Sequence, residues 1–332
     1  MTALASPSAA ATTADTLALI AEDLREVDAV IARRLDSGVP LVGEVSRYII
    51  AAGGKRLRPA LLLLVCGALQ CRDAQRFNLA AVVEFIHTAT LLHDDVVDES
   101  TLRRGRATAN EVFGNPASVL VGDFLYSRAF QMMVDAGEMR IMQTLADATN
   151  VIAEGEVLQL MNMHDPDLNQ EGYLRVIRSK TAKLFEASAR LGAIVARAPA
   201  EMEEACATYG QALGTAFQVI DDVLDYDGDT SVMGKNLGDD LREGKTTLPL
   251  IIAMQRGTPA QAAAVRSAIE SSGEGDLGAI AAIVRDTGAL TATREAAAAE
   301  AQRAIDAIAD LPRNPHTKGL LQLAAQLLTR QA

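Results

Sequence analysis

Two apolar runs that end in the same acidic pattern limit what this chain can become. The first is His87-Thr88-Ala89-Thr90-Leu91-Leu92-His93-Asp94-Asp95-Val96-Val97-Asp98, and the second is Phe217-Gln218-Val219-Ile220-Asp221-Asp222-Val223-Leu224-Asp225. At about 3.6 residues per turn, Asp94 and Asp98 stand one turn apart on one helix face, with His87 two turns behind Asp94. Carboxylates at that spacing repel each other. A single D-D-x-x-D reads first as a solvated acidic helix end. The second copy shifts the reading toward two facing helices that cage a divalent cation.

The remaining pattern predicts an all-α protein, because apolar residues recur at three and four along almost the whole chain and alternating Val/Ile/Thr-rich runs are scarce. Helices are expected from Leu17 to Leu35, Phe77 to Asp98, Glu171 to Arg197, Ala200 to Asp225 and Leu277 to Ala309. The polar stretch from Tyr226 to Gly244 has no apolar period, and a loop of that length suggests a lid. Residues 1 to 14 read as a disordered tail and residues 15 to 332 as one domain without internal repeats. With 332 residues, 49% of them hydrophobic, the chain suffices for a substantial core.

A formal charge of -12 argues against nucleic acid as a partner. Any anionic ligand must then meet local cations. Candidates are Lys55 with Arg58, Arg103 with Arg104, Lys180 with Lys183, and Lys235 with Lys245. Each pair alone reads as solvated charge; beside two acidic helix ends they suggest a diphosphate site, since hard cations such as Mg²⁺ share carboxylate oxygens with phosphates. Cys66, Cys71 and Cys206 lack C-x-x-C spacing and fit a reduced, cytoplasmic protein. No basic residue precedes Arg25, so no secretory or transit signal is expected, and the longest apolar run, Pro59 to Leu69, is too short for a transmembrane segment.

Three other motif readings fail. Gly244-Lys245-Thr246 imitates the end of a phosphate-binding loop, but Asp239 stands where the first glycine belongs and no strand precedes it. Asp225-x-Asp227-x-Asp229 imitates a calcium loop, yet Thr230 replaces its glycine and Asn236 its glutamate. His87 and His93 lack zinc-site spacing, and His87 alone could equally be a satisfied core histidine.

Taken together, Gly53-Gly54-Lys55-Arg56-Leu57-Arg58-Pro59, Glu84-Phe85-Ile86-His87-Thr88-Ala89, Asp94-Asp95-Val96-Val97-Asp98, Arg103-Arg104-Gly105, Lys180-Thr181, Phe217-Gln218 and Asp221-Asp222-Val223-Leu224-Asp225 resemble, in order and spacing, the trans-type polyprenyl diphosphate synthases. The likeness runs from about residue 15 to the C-terminus and is strongest to the octaprenyl and decaprenyl types that make quinone side chains. It implies the isoprenoid synthase fold: a single large helical bundle around a central cavity, normally a homodimer.

By that resemblance, Asp94 and Asp98 would bind two Mg²⁺ ions and Asp221 a third, and these aspartates with Lys180 would be the catalytic set. The allylic diphosphate would be held by Arg103, Lys180, Thr181 and Gln218, with Lys235 and Lys245, and isopentenyl diphosphate by Lys55, Arg58, His87 and Arg104. Position 90 lies one turn below Asp94, and Ala89 and Thr90 are both small, so they are expected to act as an open chain-length gate. A product of about C40–C50 follows, with a C15–C20 synthase as the alternative. A terpene cyclase is disfavoured because its aromatic walls are missing: the chain has seven Phe, five Tyr and no Trp. A silent partner subunit would be expected to have lost carboxylates, and none is missing.

Overall fold

Residues 13–51, 53–227, 238–273 and 277–327 are described by the structure, a computed structural model, and they are helical nearly throughout. The expected first helix is two: α1 (Thr13–Ala18) and α2 (Ala21–Arg34). Ile20 leaves the helical conformation between them and is fully buried, so α1 can pack on the C-terminal helix while α2 packs on the first carboxylate helix. The tail expected over residues 1 to 14 lies outside the described residues except for the last two, which open α1.

α3 (Pro40–Ala51) leads through a turn, in which Gly53 and Arg56 are left-handed, into α4 (Leu57–Ala68). Every side chain from Pro59 to Cys66 is buried, which makes α4 an internal helix. It lies against α5 (Gln75–Val97), the first carboxylate helix, which also packs along α7 (Asn115–Asp135). Between α5 and α7 come a two-stranded hairpin, β1 (Leu102–Arg103) and β2 (Arg106–Ala107), and the short α6 (Ala109–Phe113). Arg104 and Gly105, at φ +53° and +72°, form its turn; two consecutive left-handed residues match the right-handed twist of paired strands.

α8 (Met139–Met161) and α9 (Gln170–Ile177) follow, the latter capped by the Asn169 side chain, which accepts from Gly172 N at 2.9 Å. The helix expected from Glu171 to Arg197 is interrupted: a π-helical segment, Arg178–Ala182, separates α9 from α10 (Lys183–Val195). α11 (Ala200–Asp227), the second carboxylate helix, runs between α10 and a late helix. Of the expected lid, residues 228–237 lie outside the described residues, and its end forms α12 (Asp239–Arg242). Then come α13 (Leu248–Arg256), α14 (Pro259–Glu270), α15 (Leu277–Asp286), α16 (Ala289–Ala307) and α17 (Pro315–Leu327). The single helix expected from Leu277 to Ala309 is broken because Gly288 turns left-handed at φ +68°.

Two hydrophobic clusters result. The larger joins α4, α5, α7 and α10; the smaller joins the end of α11 to α13 through α16. Residues from the ends of α5 and α11 line one cavity. Among the described residues, no helix is long and apolar enough to cross a membrane.

Candidate active site

One cavity of about 1310 Å³ receives side chains from both carboxylate helices, among them Asp94, Asp98, Asp221 and Asp225. It also takes in Lys55, Arg58, His87, Arg103, Arg104, Lys180, Thr181, Gln218 and Lys245, whereas the candidate cation Lys183 lies outside the cavity lining and pairs with Glu186 at 2.7 Å. Lys235 lies outside the described residues. Of the two gate candidates, Thr90 lines the cavity, whereas Ala89 is fully buried in the larger core.

The cations fall into two groups. At one end, the left-handed Arg56 turns the chain so that Lys55 and Arg58 face the cavity from the start of α4. Arg58 Nη1 is 3.1 Å from His87 Nε2, and its guanidinium lies 4.4 Å above the Phe185 ring. Burial lowers Arg58 to about 10, which still leaves it charged at neutral pH. Burial first, then Arg58, Arg103 and Arg104, hold His87 well below the usual imidazole range. A neutral His87 accepts from the permanently protonated guanidinium, so its own proton sits on Nδ1. Glu84, inside this basic end, is pushed upward by burial while Arg56, 3.6 Å away, works the other way.

At the other end, lysines stand between carboxylates. Lys180 Nζ is 2.5 Å from Glu156 and 3.7 Å from Asp94, while Lys245 Nζ is 3.0 Å from Asp98 and also binds Glu243. Burial raises Asp94 against the pull of Lys180, and burial together with Asp94 raises Glu156 to about 7. Burial also opposes charge on Lys245, but Asp98 and Glu243 outweigh it and hold its pKa above the ordinary value.

The middle aspartates do something else. Asp95 is wholly buried under a fork from Arg103, with contacts of 2.6 and 2.9 Å to one carboxylate oxygen. Asp222 is likewise buried, accepting from Tyr173 Oη at 2.6 Å and from Gln218 Nε2 at 2.9 Å, and it is pushed upward by burial and by Asp240. Thr181 Oγ1 donates to Gln218 Oε1 at 3.0 Å, which extends this chain to the π-helical segment. Asp95 and Asp222 therefore hold their neighbours in place; Asp222 still lines the cavity beside Asp221, and Asp225, also buried, accepts from Asp239 N at 3.2 Å.

Sequence reasoning missed Arg56, Glu84, Glu156, Tyr173 and Glu243, all of which line the cavity. Glu156 is one acid on a long helix that also carries Glu154, and no spacing distinguishes it. The donor set fits a hard divalent cation: it is all carboxylate oxygen, and two ammonium groups already occupy positions between carboxylates. Among the described residues no three metal-ligating side chains converge into a cage. Such donors suit an ion that completes its shell with water and phosphate oxygens.

A family model described as Polyprenyl synthetase matches residues 39–287. The chain belongs to the polyprenyl synthetase family. As a polyprenyl synthetase it is a prenyltransferase with the isoprenoid synthase fold. It is similar to octaprenyl diphosphate synthase of Escherichia coli (strain K12), at 52% identity over 307 residues, 92% of this chain and 95% of the relative. It is also similar to an all-trans-nonaprenyl-diphosphate synthase (geranyl-diphosphate specific) of Rhodobacter capsulatus, at 45% identity over 95% of this chain and 97% of the relative. Among solved structures, a polyprenyl synthase from Caulobacter crescentus CB15, complexed with calcium and isoprenyl diphosphate, superposes with a TM-score of 0.93 at 43% identity, covering 98% of this chain and all of that one.

Proposed function

We propose that this enzyme condenses an allylic diphosphate with successive isopentenyl diphosphates to give an all-trans polyprenyl diphosphate of about C40–C50, for a quinone side chain. The observation that carries the reading is the shared cavity, lined by both carboxylate helices and by two sets of cations, Lys180 with Lys245 beside Asp94 and Asp98, and Arg58 beside His87. Two diphosphates need two such places. The two named synthases above make products of that class.

In this reading Arg103, Lys180, Thr181, Gln218 and Lys245, with Lys235 as a further candidate, hold the allylic diphosphate. Lys55, Arg58, Arg104 and His87 hold isopentenyl diphosphate, with the neutral imidazole supplying an N–H. Mg²⁺, with three ions per site as the expected number, would be held by Asp94, Asp98 and Asp221 and would neutralise charge on the leaving diphosphate. Lys180 and Lys245 add positive charge where negative charge grows as the C–O bond breaks, so they stabilise the transition state more than the ground state. The isopentenyl double bond, aligned by the Arg58 end, attacks the allylic carbon. Loss of a proton restores the alkene, and the departing pyrophosphate is the acceptor expected from the family. Residues 15 to 332 act as one catalytic unit.

The proposal extends to a cytoplasmic homodimer. Leu120 and Val134 on α7, with Met139 and Met161 on α8, are large apolar side chains exposed to solvent, and such a surface fits a self-complementary interface.

The test is direct. Purified protein with Mg²⁺, labelled isopentenyl diphosphate and farnesyl diphosphate should yield products of about C40–C50, and Asp221→Asn should lower turnover by about 10²–10³-fold, the scale of losing one electrostatic contact to a developing charge. Products confined to C15–C20 would reject the long-chain reading, and full activity of Asp221→Asn would reject the site.

A further inference from the structure

The Gly244-Lys245-Thr246 stretch is not a phosphate-binding loop, yet its glycine is required by what lies against it. Gly244 has φ +77°, and His164, in the loop after α8, has φ +62°. The two left-handed residues meet directly: His164 N donates to Gly244 O at 2.8 Å. The imidazole lies so close that a Cβ on Gly244 would fall 2.2 Å from its Cε1. The ring is itself tethered, with Nδ1 3.3 Å from Ser272 Oγ and 3.4 Å from Ile269 O at the end of α14.

The next residues continue the contact. Thr246 Oγ1 donates to Asp165 O at 2.9 Å, and Lys245 N donates to Asp240 O at 2.8 Å. The main chain of Lys245 is thus fixed from both sides while its side chain crosses to Asp98 at 3.0 Å. A lysine ammonium on a flexible four-carbon stem is placed only as well as the backbone beneath it.

We propose that His164 and Gly244 form a clamp that positions Lys245, so that this distant backbone contact sets how well the enzyme binds its allylic diphosphate. His164 is a positioning residue: it acts through Lys245. The inference deepens the assignment of Lys245 to the allylic diphosphate and rests on it.

The experiment is steady-state kinetics on the full chain, varying each substrate separately, for G244A, H164G and K245A and for the double variants G244A/K245A and H164G/K245A. Gly244→Ala puts a methyl into the ring and strains the left-handed backbone, so the KM for the allylic diphosphate should rise at least about tenfold, as a displaced binding group would cause. The KM for isopentenyl diphosphate should stay near wild type. His164→Gly removes only the ring and accepts a positive φ without strain, so it should fold normally and show the same one-sided pattern more weakly. In the K245A background neither change should add more than about twofold, because effects transmitted through one residue do not add.

A folded G244A with a wild-type allylic KM, a parallel rise for both substrates, or full additivity with K245A would overturn the clamp. Should G244A fail to fold, H164G decides on the same criteria. A kinetically silent K245A would remove the assignment of Lys245 and the clamp with it, whereas an impaired K245A beside normal G244A and H164G would remove the clamp alone.

Discussion

At the scale of single residues, the site uses burial to choose which groups carry charge. His87 is held neutral by burial and by its arginine neighbours. An unfolded chain takes up a proton at this histidine below about pH 6.5, and the folded chain does not. The unfolded state then binds more protons, so the contribution is fully present above that pH and is lost as pH falls. His87→Gln keeps a hydrogen-bonding side chain but cannot titrate. Its melting temperature should therefore fall less between pH 7 and 5 than that of the wild type, and equal falls in thermal denaturation would remove His87 from the account. Thr90 makes a second prediction. It lines the cavity one turn below Asp94, while Ala89 is packed into the core. Thr90→Phe should shorten the product, as sized by chromatography, and Ala89→Phe should mainly destabilise, by about 1–3 kcal/mol, because it overfills packed space.

At the scale of elements, the irregular segment does the most. The π-helical turn Arg178–Ala182 carries Lys180 and Thr181, and such turns occur often at functional sites because they project side chains out of the α-helical register. The segment needs close neighbours. A Cβ on Gly155 of α8 would lie 2.8 Å from Lys180 N, and one on Gly214 of α11 would lie 2.7 Å from Ala182 Cα. Two glycines on two helices therefore let a widened turn fit between them. Gly214→Ala should cost about 1–3 kcal/mol and lower turnover together, because backbone cannot yield as a side-chain tip can. An unchanged melting curve would show that the turn is not confined there.

At the scale of the molecule, a chain with a formal charge of -12 brings Lys55, Arg58, Arg103, Arg104, Lys180 and Lys245 into one cavity that is lined by carboxylates as well. The exposed apolar residues on α7 and α8 lead to a further prediction. Leu120 and Val134 lie fourteen residues apart, about four turns along one face, so Leu120→Asp with Val134→Asp should turn the proposed dimer into a monomer in analytical ultracentrifugation. An unchanged sedimentation coefficient would place any interface elsewhere. Much of this design was legible along the chain. The helical period, the two acidic repeats and the cationic motifs are local patterns, and each follows from side chains three or four residues apart on one turn of helix. The break at Ile20 was not legible, since what separates α1 from α2 is the different partners they pack on, whereas Gly288 is a helix-ending glycine inside an apolar period that continues on both sides. The roles of Asp95 and Asp222 were hidden as well: within D-D-x-x-D every aspartate reads alike, and only the partners met in the fold, Arg103 for Asp95 and Tyr173 with Gln218 for Asp222, tell the middle ones apart. The same holds for Glu156 and for the contact of His164 with Gly244, eighty residues apart in sequence. Sequence by itself decided which helices form and which faces are acidic, because periodicity and charge are short-range properties. The tertiary structure alone decided which carboxylates stand beside the lysines of the cavity and which are held by Arg103 or Tyr173, because desolvation and packing depend on neighbours that the chain order does not place side by side.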